Sequence, residues 1–208
     1  MKTTALLSAL ALSLCAAPAL AADNTSDPKA LKQATELMQR DFQTRGIANV
    51  DRLKQDEALA LCTKYRSHVP AKIAKEIEAA QLQTIKYPED GKYMGDWKNG
   101  DKLAKSGRGA TWSDKPDTQN GGGCYNCHRV SGTEVSYGTI GPSLYEFGKL
   151  RGGATEANMK YVYGKLYNSQ AYVACSNMPR FGLHGVLSNE QIKDLVALLL
   201  DPESVVNK

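Results

Sequence analysis

The sequence Gly121-Gly-Gly-Cys124-Tyr-Asn-Cys127-His128 determines how the rest of this chain is interpreted. In a Cys-x-x-Cys-His pattern, two thiols can add across the two vinyl groups of one haem, and the histidine that follows can bind its iron. The two intervening residues allow a single helical turn to present both sulfurs to one porphyrin edge. The pattern therefore predicts one covalently attached haem c, with thioether bonds from Cys124 and Cys127. His128 is the expected first axial ligand, and the glycines are expected to let the chain pass closely beneath the macrocycle.

Two other kinds of site use the same cysteine spacing. A redox-active dithiol carries Cys-x-x-Cys, and so does half of a structural zinc site. Zinc requires a second pair of ligands, and neither His68 nor His184 lies in a matching Cys/His doublet. The chain has only five cysteines and three histidines in 208 residues, so the full pattern rarely arises by chance. Haem attachment is the preferred interpretation.

The N-terminus has the features of a secretory signal peptide. Lys2 precedes the apolar stretch of residues 5–17, and Ala19-Leu-Ala21 follows it. A short charged start, a short apolar region and an Ala-x-Ala site are typical of a signal that is removed during export. We therefore expect a signal peptide over residues 1–22, cleaved after Ala21 or Ala22, and a mature protein in the periplasm.

Cys15 lies inside this predicted signal. A lipid-modified cysteine would require a small residue before it, and Leu14 is too bulky, so Cys15 is expected to leave with the signal. The longest later apolar run, Leu195–Leu200, is too short to cross a membrane. Loss of Lys2 reduces the net charge from +4 to +3, which gives no indication of nucleic-acid or membrane binding.

Two cysteines remain after haem attachment. Cys62 and Cys175 lie 113 positions apart, and an unassigned pair in an oxidising compartment is usually bridged. We expect a disulfide between them, with a bond to a partner chain as the alternative.

The mature chain contains several segments with helical periodicity, and no strand-like alternation of useful length is present. In the N-terminal segment, residues 23–90, Asp27-Pro28 opens a helix that Gly46 is expected to end. A second helix is expected to begin at Asn49 or Asp51, and a third follows Pro70.

The predicted haem domain covers residues 91–208. One helix is expected to begin at Lys98, and another to run over residues 155–168. Ser188, followed by Gln191, is expected to cap a last helix whose apolar face includes Ile192 and Leu195. The predicted fold class is all-α.

A methionine is the preferred second axial ligand. Met178 lies in a loop, precedes the stiffening Pro179 and follows His128 by 50 residues, enough chain to cross the distal face. His184 is the competing ligand, and an open iron site is the remaining alternative. Met159 fits a helical core pattern instead. Methionine raises the reduction potential and a second histidine lowers it, and an iron with all six positions filled favours electron transfer.

The Gly141-Pro142 turn is expected to orient the first ligand. A proline carbonyl in a fixed turn can accept the Nδ1–H of His128, which holds the imidazole and makes it a better donor.

These residues resemble a known family. Cys124-x-x-Cys127-His128, then Gly141-Pro142-Ser-Leu, then Met178-Pro before a long C-terminal helix are similar to class I cytochromes c. Within that superfamily, the stretches 138–144 and 177–182 are most similar to the SoxX family, the monohaem subunits of SoxAX cytochromes in bacterial thiosulfate oxidation.

The resemblance implies a class I cytochrome c-like domain in a heterodimer with a SoxA-type subunit. That complex couples thiosulfate oxidatively to a cysteine of a SoxYZ-type carrier, with the catalytic cysteine chemistry on SoxA. The chain would accept electrons and pass them to a soluble cytochrome, with no catalytic residue of its own. His128 and Met178 would be the ligands and Cys124 and Cys127 the anchors. A generic periplasmic electron carrier and a ligand-sensing haem domain remain the alternatives.

Overall fold

The structure is a computed structural model that describes residues 25–208; the predicted signal peptide, with Cys15, lies outside this range. The regular elements of residues 25–208 are helices and short 3-10 turns, so the all-α prediction is confirmed. Among these residues, no helix is long and apolar enough to cross a membrane. The helices are α1 (Pro28–Asp41), α2 (Glu57–Lys64), α3 (Ala71–Leu82), α4 (Trp97–Lys105), α5 (Phe147–Leu150), α6 (Glu156–Tyr167) and α7 (Asn189–Leu200).

The first helix begins as predicted but ends earlier. The Asp27 carboxylate accepts a hydrogen bond from the Lys29 amide at 2.9 Å, and Pro28 occupies the first turn. The helix ends at Asp41 because Phe42 is already extended, with φ −94° and ψ 129°. Gly46, the predicted end, instead forms a later turn with φ +52°.

The second predicted helix is divided in two. Asn49 caps only the 3-10 turn Val50–Leu53, and Asp56 then caps α2 by accepting the Leu59 amide at 2.9 Å. Each of these short polar side chains accepts a backbone amide two or three residues later, so a separate helical segment begins after each of them.

The core of the protein is the crossing of α4 and α7. Gly100 of α4 lies against the Asp194 carbonyl and the Leu198 side chain, leaving no room for a Cβ. Ser188 and Gln191 form the predicted capping box of α7, and residues 195–200 of that helix are all buried. This close helix pair fixes the end of α4, from which the cysteine loop departs.

A second, smaller apolar cluster joins the N-terminal segment to the loop before α7. Ala58, Cys62 and Ile77 are its buried members, and Cys175 packs against them. Cys62 and Cys175 form the predicted disulfide, with 5.4 Å between their Cα atoms. Ile85, inside the predicted N-terminal segment, belongs to the main core. The N-terminal helices are therefore held against the C-terminal part of the chain.

We predict that replacing both Cys62 and Cys175 with serine lowers the free energy of unfolding by about 4–5 kcal/mol, because the bridge closes a loop of more than a hundred residues in the unfolded chain. Denaturant titration of the haem-containing protein would measure this change. An unfolding free energy equal to that of the wild type would contradict the prediction.

Candidate haem site

The cysteine loop is attached to the C-terminal end of α4. The amide N–H groups of Gly122 and Gly123 donate to the carbonyls of Leu103 and Ser106, each at 2.8 Å. A Cβ on Gly121 would overlap the Ser106 carbonyl, and Gly123 has a left-handed φ of +57°. These glycines therefore lie close to the C-terminal end of helix α4, and their passage beneath a macrocycle stays a prediction.

Both cysteines and the histidine lie on one tight turn. Residues 124–126 form a 3-10 turn, in which the Cys124 carbonyl accepts the Cys127 amide at 3.1 Å and the His128 amide at 2.9 Å. Both thiols are free and half-buried. Residues 25–208 contain no group of three or more His, Cys, Asp or Glu that could hold a metal ion, and the two thiols and the imidazole all belong to this one turn. This arrangement suits two thioether bonds at a porphyrin edge with a separate axial imidazole.

The ionisation of Cys124 argues against an activated dithiol. Burial raises the pKa of the Cys124 thiol to about 11, with a backbone hydrogen bond acting in the opposite direction. Reactive thiols of the Cys-x-x-Cys type instead have lowered pKa values, because the thiolate is the nucleophile. At neutral pH Cys124 is protonated, which disfavours the redox-dithiol alternative.

A second backbone segment, residues 138–144, runs alongside the cysteine turn and holds it in place. Between residues 138 and 144, three amide groups donate to carbonyls of the turn at 2.8 Å each: Gly138 to Tyr125, Gly141 to Cys127, and Leu144 to Arg129. The turn and the Gly141-Pro142 segment therefore form one backbone unit.

This unit orients the first ligand. The Nδ1–H of His128 donates to the Pro142 carbonyl at 2.7 Å, which confirms the hydrogen bond predicted from the sequence. The ring lies directly across Gly141, where a Cβ would overlap three ring atoms. With Nδ1 occupied, Nε2 remains as the nitrogen available to iron. The thiols, the imidazole and the glycine fit a covalently bound haem c.

Met178 lies in the loop where the sequence predicted a ligand. Its side chain is half-buried and packs against the main core, as does that of Cys124. The Met178 carbonyl accepts the Ser169 hydroxyl at 2.5 Å, and its amide donates to the Ser176 hydroxyl at 3.2 Å. His184 is exposed, whereas Met159 packs on the core as expected. The loop geometry supports the choice of Met178, which stays a prediction.

No pattern in the sequence predicted the buried ion pair of Arg180, which lies near this loop. Arg180 is only 5% exposed, and its guanidinium donates to the Asp56 carboxylate at 2.6 Å and to the Gln81 side-chain oxygen at 3.2 Å. Burial alone would raise the pKa of Asp56, but the Leu59 amide and Arg180 together hold it below its usual range. A loop arginine is ordinarily exposed, so only the tertiary structure identifies it as buried.

We predict that Gly141→Ala lowers the free energy of unfolding of the haem-containing protein by about 1–3 kcal/mol, because the added methyl group overlaps the His128 ring. It is also expected to shift the reduction potential, which depends on the orientation of the axial imidazole. Denaturant titration and potentiometry would measure both. Gly107→Ala is the matched control, since its Cβ would meet only the Asn126 side chain at 3.7 Å. Equal behaviour of the two variants would contradict this role of Gly141.

We predict that Met178→His leaves the haem attached and lowers the reduction potential by on the order of a hundred millivolts or more, because a second imidazole replaces a thioether that favours the reduced iron. Potentiometric titration and the absorption spectrum would record the change. An unchanged potential and spectrum would remove Met178 from the site.

Comparison with known proteins identifies the family. Residues 117–201, which contain the cysteine turn, Met178 and α7, match the family model described as Cytochrome c. A protein of Aquifex aeolicus (strain VF5), described as an uncharacterized lipoprotein, is 42% identical over 147 residues, covering 67% of this chain and 68% of the relative. Covalently bound haem c and electron transfer are the properties that this family implies. With its all-α fold and its Cys-x-x-Cys-His turn, the chain carries a class I cytochrome c domain that includes residues 117–201.

Proposed function

We propose that this protein is the monohaem electron-transfer subunit of a SoxAX-type complex, which couples thiosulfate to a cysteine of a carrier protein. The observation that carries the electron-transfer part is the fixed imidazole of His128, donating from Nδ1 to the Pro142 carbonyl one residue after the paired thiols. The thiosulfate part rests on the similarity of residues 138–144 and 177–182 to SoxX.

The chain's residues have distinct tasks in this proposal. Cys124 and Cys127 anchor one haem through thioether bonds, and the bound haem supplies a one-electron iron centre. His128 and Met178 would hold the haem iron, so that thiosulfate or a carrier thiol would bind there only by displacing one of them. The Ser169 hydroxyl donates to the Met178 carbonyl and the Pro142 carbonyl accepts from the imidazole, so the protein itself holds both residues in place.

The coupling reaction requires a second redox centre. When thiosulfate joins a carrier cysteine, an S–S bond forms between the terminal sulfur of thiosulfate and the cysteine sulfur. The thiol proton and two electrons are released. One haem can hold only one of these electrons at a time, so a partner has to take the other. The remaining cysteines, Cys62 and Cys175, form a disulfide and offer no free thiol to the reaction. A SoxA-type subunit with its own haem and catalytic cysteine meets both needs.

An exposed apolar side chain next to the Gly141-Pro142 turn suits contact with a partner protein. Val135 and Ile140 are 98% and 79% exposed, and Ile140 adjoins the Gly141-Pro142 segment that holds His128. Exposed apolar side chains next to a redox site are suited to a transient protein contact. We assign the exposed side chain of Ile140 to the contact with the SoxA-type partner, which passes electrons to this chain.

The proposed location is the periplasm. The signal peptide predicted for residues 1–22 supports it, and the description of the Aquifex relative as a lipoprotein is consistent with export. The proposed downstream acceptor is a soluble cytochrome.

Anaerobic reconstitution tests the proposal. The mature protein is mixed with a SoxA-type subunit, a SoxYZ-type carrier and thiosulfate, and the reduction of its haem is followed by absorbance. We expect reduction only when all components are present, because the electrons are released only as the sulfur–sulfur bond forms. A carrier with its cysteine replaced by serine is the control.

The outcomes separate the candidate functions. Thiosulfate turnover by this protein alone, or a haem that stays oxidised in the complete mixture, contradicts the proposal. A generic electron carrier would accept electrons from other periplasmic donors but not from this mixture. In the same assay, Ile140→Asp is expected to slow haem reduction, whereas Leu82→Asp, at an exposed leucine of α3, is not.

A further inference from the structure

Arg180 carries a buried charge that electron transfer does not require. Its side chain is 4% exposed and lies two residues after Met178. Asp56, whose carboxylate it contacts at 2.6 Å, is the cap of α2, and Gln81 is in the last turn of α3. A charge in such a place is stable only while its partners stay in position. The N-terminal helices thus supply both acceptors for a residue of the ligand loop.

Gln81 extends the same network to the other side of the ligand. Its side-chain oxygen accepts the Arg180 guanidinium at 3.2 Å and the Asn168 amide group at 2.9 Å. Asn168 is fully buried, and the next residue, Ser169, donates its hydroxyl to the Met178 carbonyl. Arg180, two residues after Met178, and Asn168, next to the Ser169 that bonds Met178, therefore share one acceptor, Gln81 of α3.

We propose that Asp56 and Gln81 are positioning residues, which hold Met178 at the iron through Arg180 and Asn168. The inference rests on the proposed function, in which Met178 is the second axial ligand. It gives the N-terminal segment a specific task, which is to keep the ligand loop closed over the haem. Weakening the network should make Met178 easier to displace while His128 and the thioether bonds stay unchanged.

Two substitutions change the charge of the network in opposite directions. Asp56→Asn keeps an oxygen that can cap the Leu59 amide but removes the charge that faces Arg180. Gln81→Glu keeps the accepting oxygen and adds a charge beside Arg180. The double variant restores one carboxylate. Asn207→Ala is the control, because Asn207 is a buried, hydrogen-bonded side chain outside this network. Its partners are Gly148, Lys149, Leu199, Asp201 and Ser204.

Imidazole added to the oxidised protein reports how firmly Met178 is held. It competes for the iron, and its binding removes the far-red absorption band that marks methionine-ligated ferric haem. We expect Asp56→Asn to bind imidazole about tenfold more tightly than the wild type, which corresponds to about 1.4 kcal/mol. Gln81→Glu should bind it more weakly, and the double variant should return towards the wild-type value. Asn207→Ala should lower the unfolding midpoint and leave imidazole binding unchanged.

The other outcomes distinguish a failure of the positioning role from a failure of the ligand assignment. Wild-type imidazole affinity in both Asp56→Asn and Gln81→Glu, or an equal shift in Asn207→Ala, overturns the positioning role and leaves the ligand assignment standing. A wild-type protein without the far-red band overturns the ligand assignment itself, and this inference with it. If Asp56→Asn fails to accumulate as folded protein, the Gln81→Glu result alone decides the matter.

Discussion

The site depends on one hydrogen bond, from the Nδ1–H of His128 to the Pro142 carbonyl at 2.7 Å. It fixes both the ring orientation and the nitrogen left for iron. The bond is possible because three backbone hydrogen bonds align residues 138–144 with the cysteine turn, and because Gly141 has no side chain to displace the ring. The amides of Gly122 and Gly123 hold this unit against the end of α4.

The α4–α7 crossing supports the cysteine turn, and the N-terminal helices support the loop that contains Met178. On one side, Gly100 lets α4 and α7 come close, and the end of α4 accepts the amides of the glycine loop. On the other, the disulfide from Cys62 and the charge of Asp56 tie α2 to the loop around Met178. The N-terminal segment, which carries no chemical motif, is therefore bonded to the loop that contains the proposed second ligand.

Local signals were sufficient for much of the fold. Asp27 and Ser188 cap their helices as the sequence indicated, because a capping side chain acts on amides two or three residues away. The bond from His128 to Pro142 and the Cys62–Cys175 pair were also predictable. In the first case the turn chemistry restricts the geometry, and in the second only two cysteines were left over.

The sequence by itself thus determined the helical class, the cysteine turn with its histidine, and the family, since each follows from residues close together in the chain. Tertiary structure decided what the glycines before Cys124 approach and which charges are buried. Arg180 and Asp56 are 124 positions apart, and no local pattern marks either as a partner of the other. A loop arginine is solvated unless distant helices enclose it, so its role exists only in the folded chain.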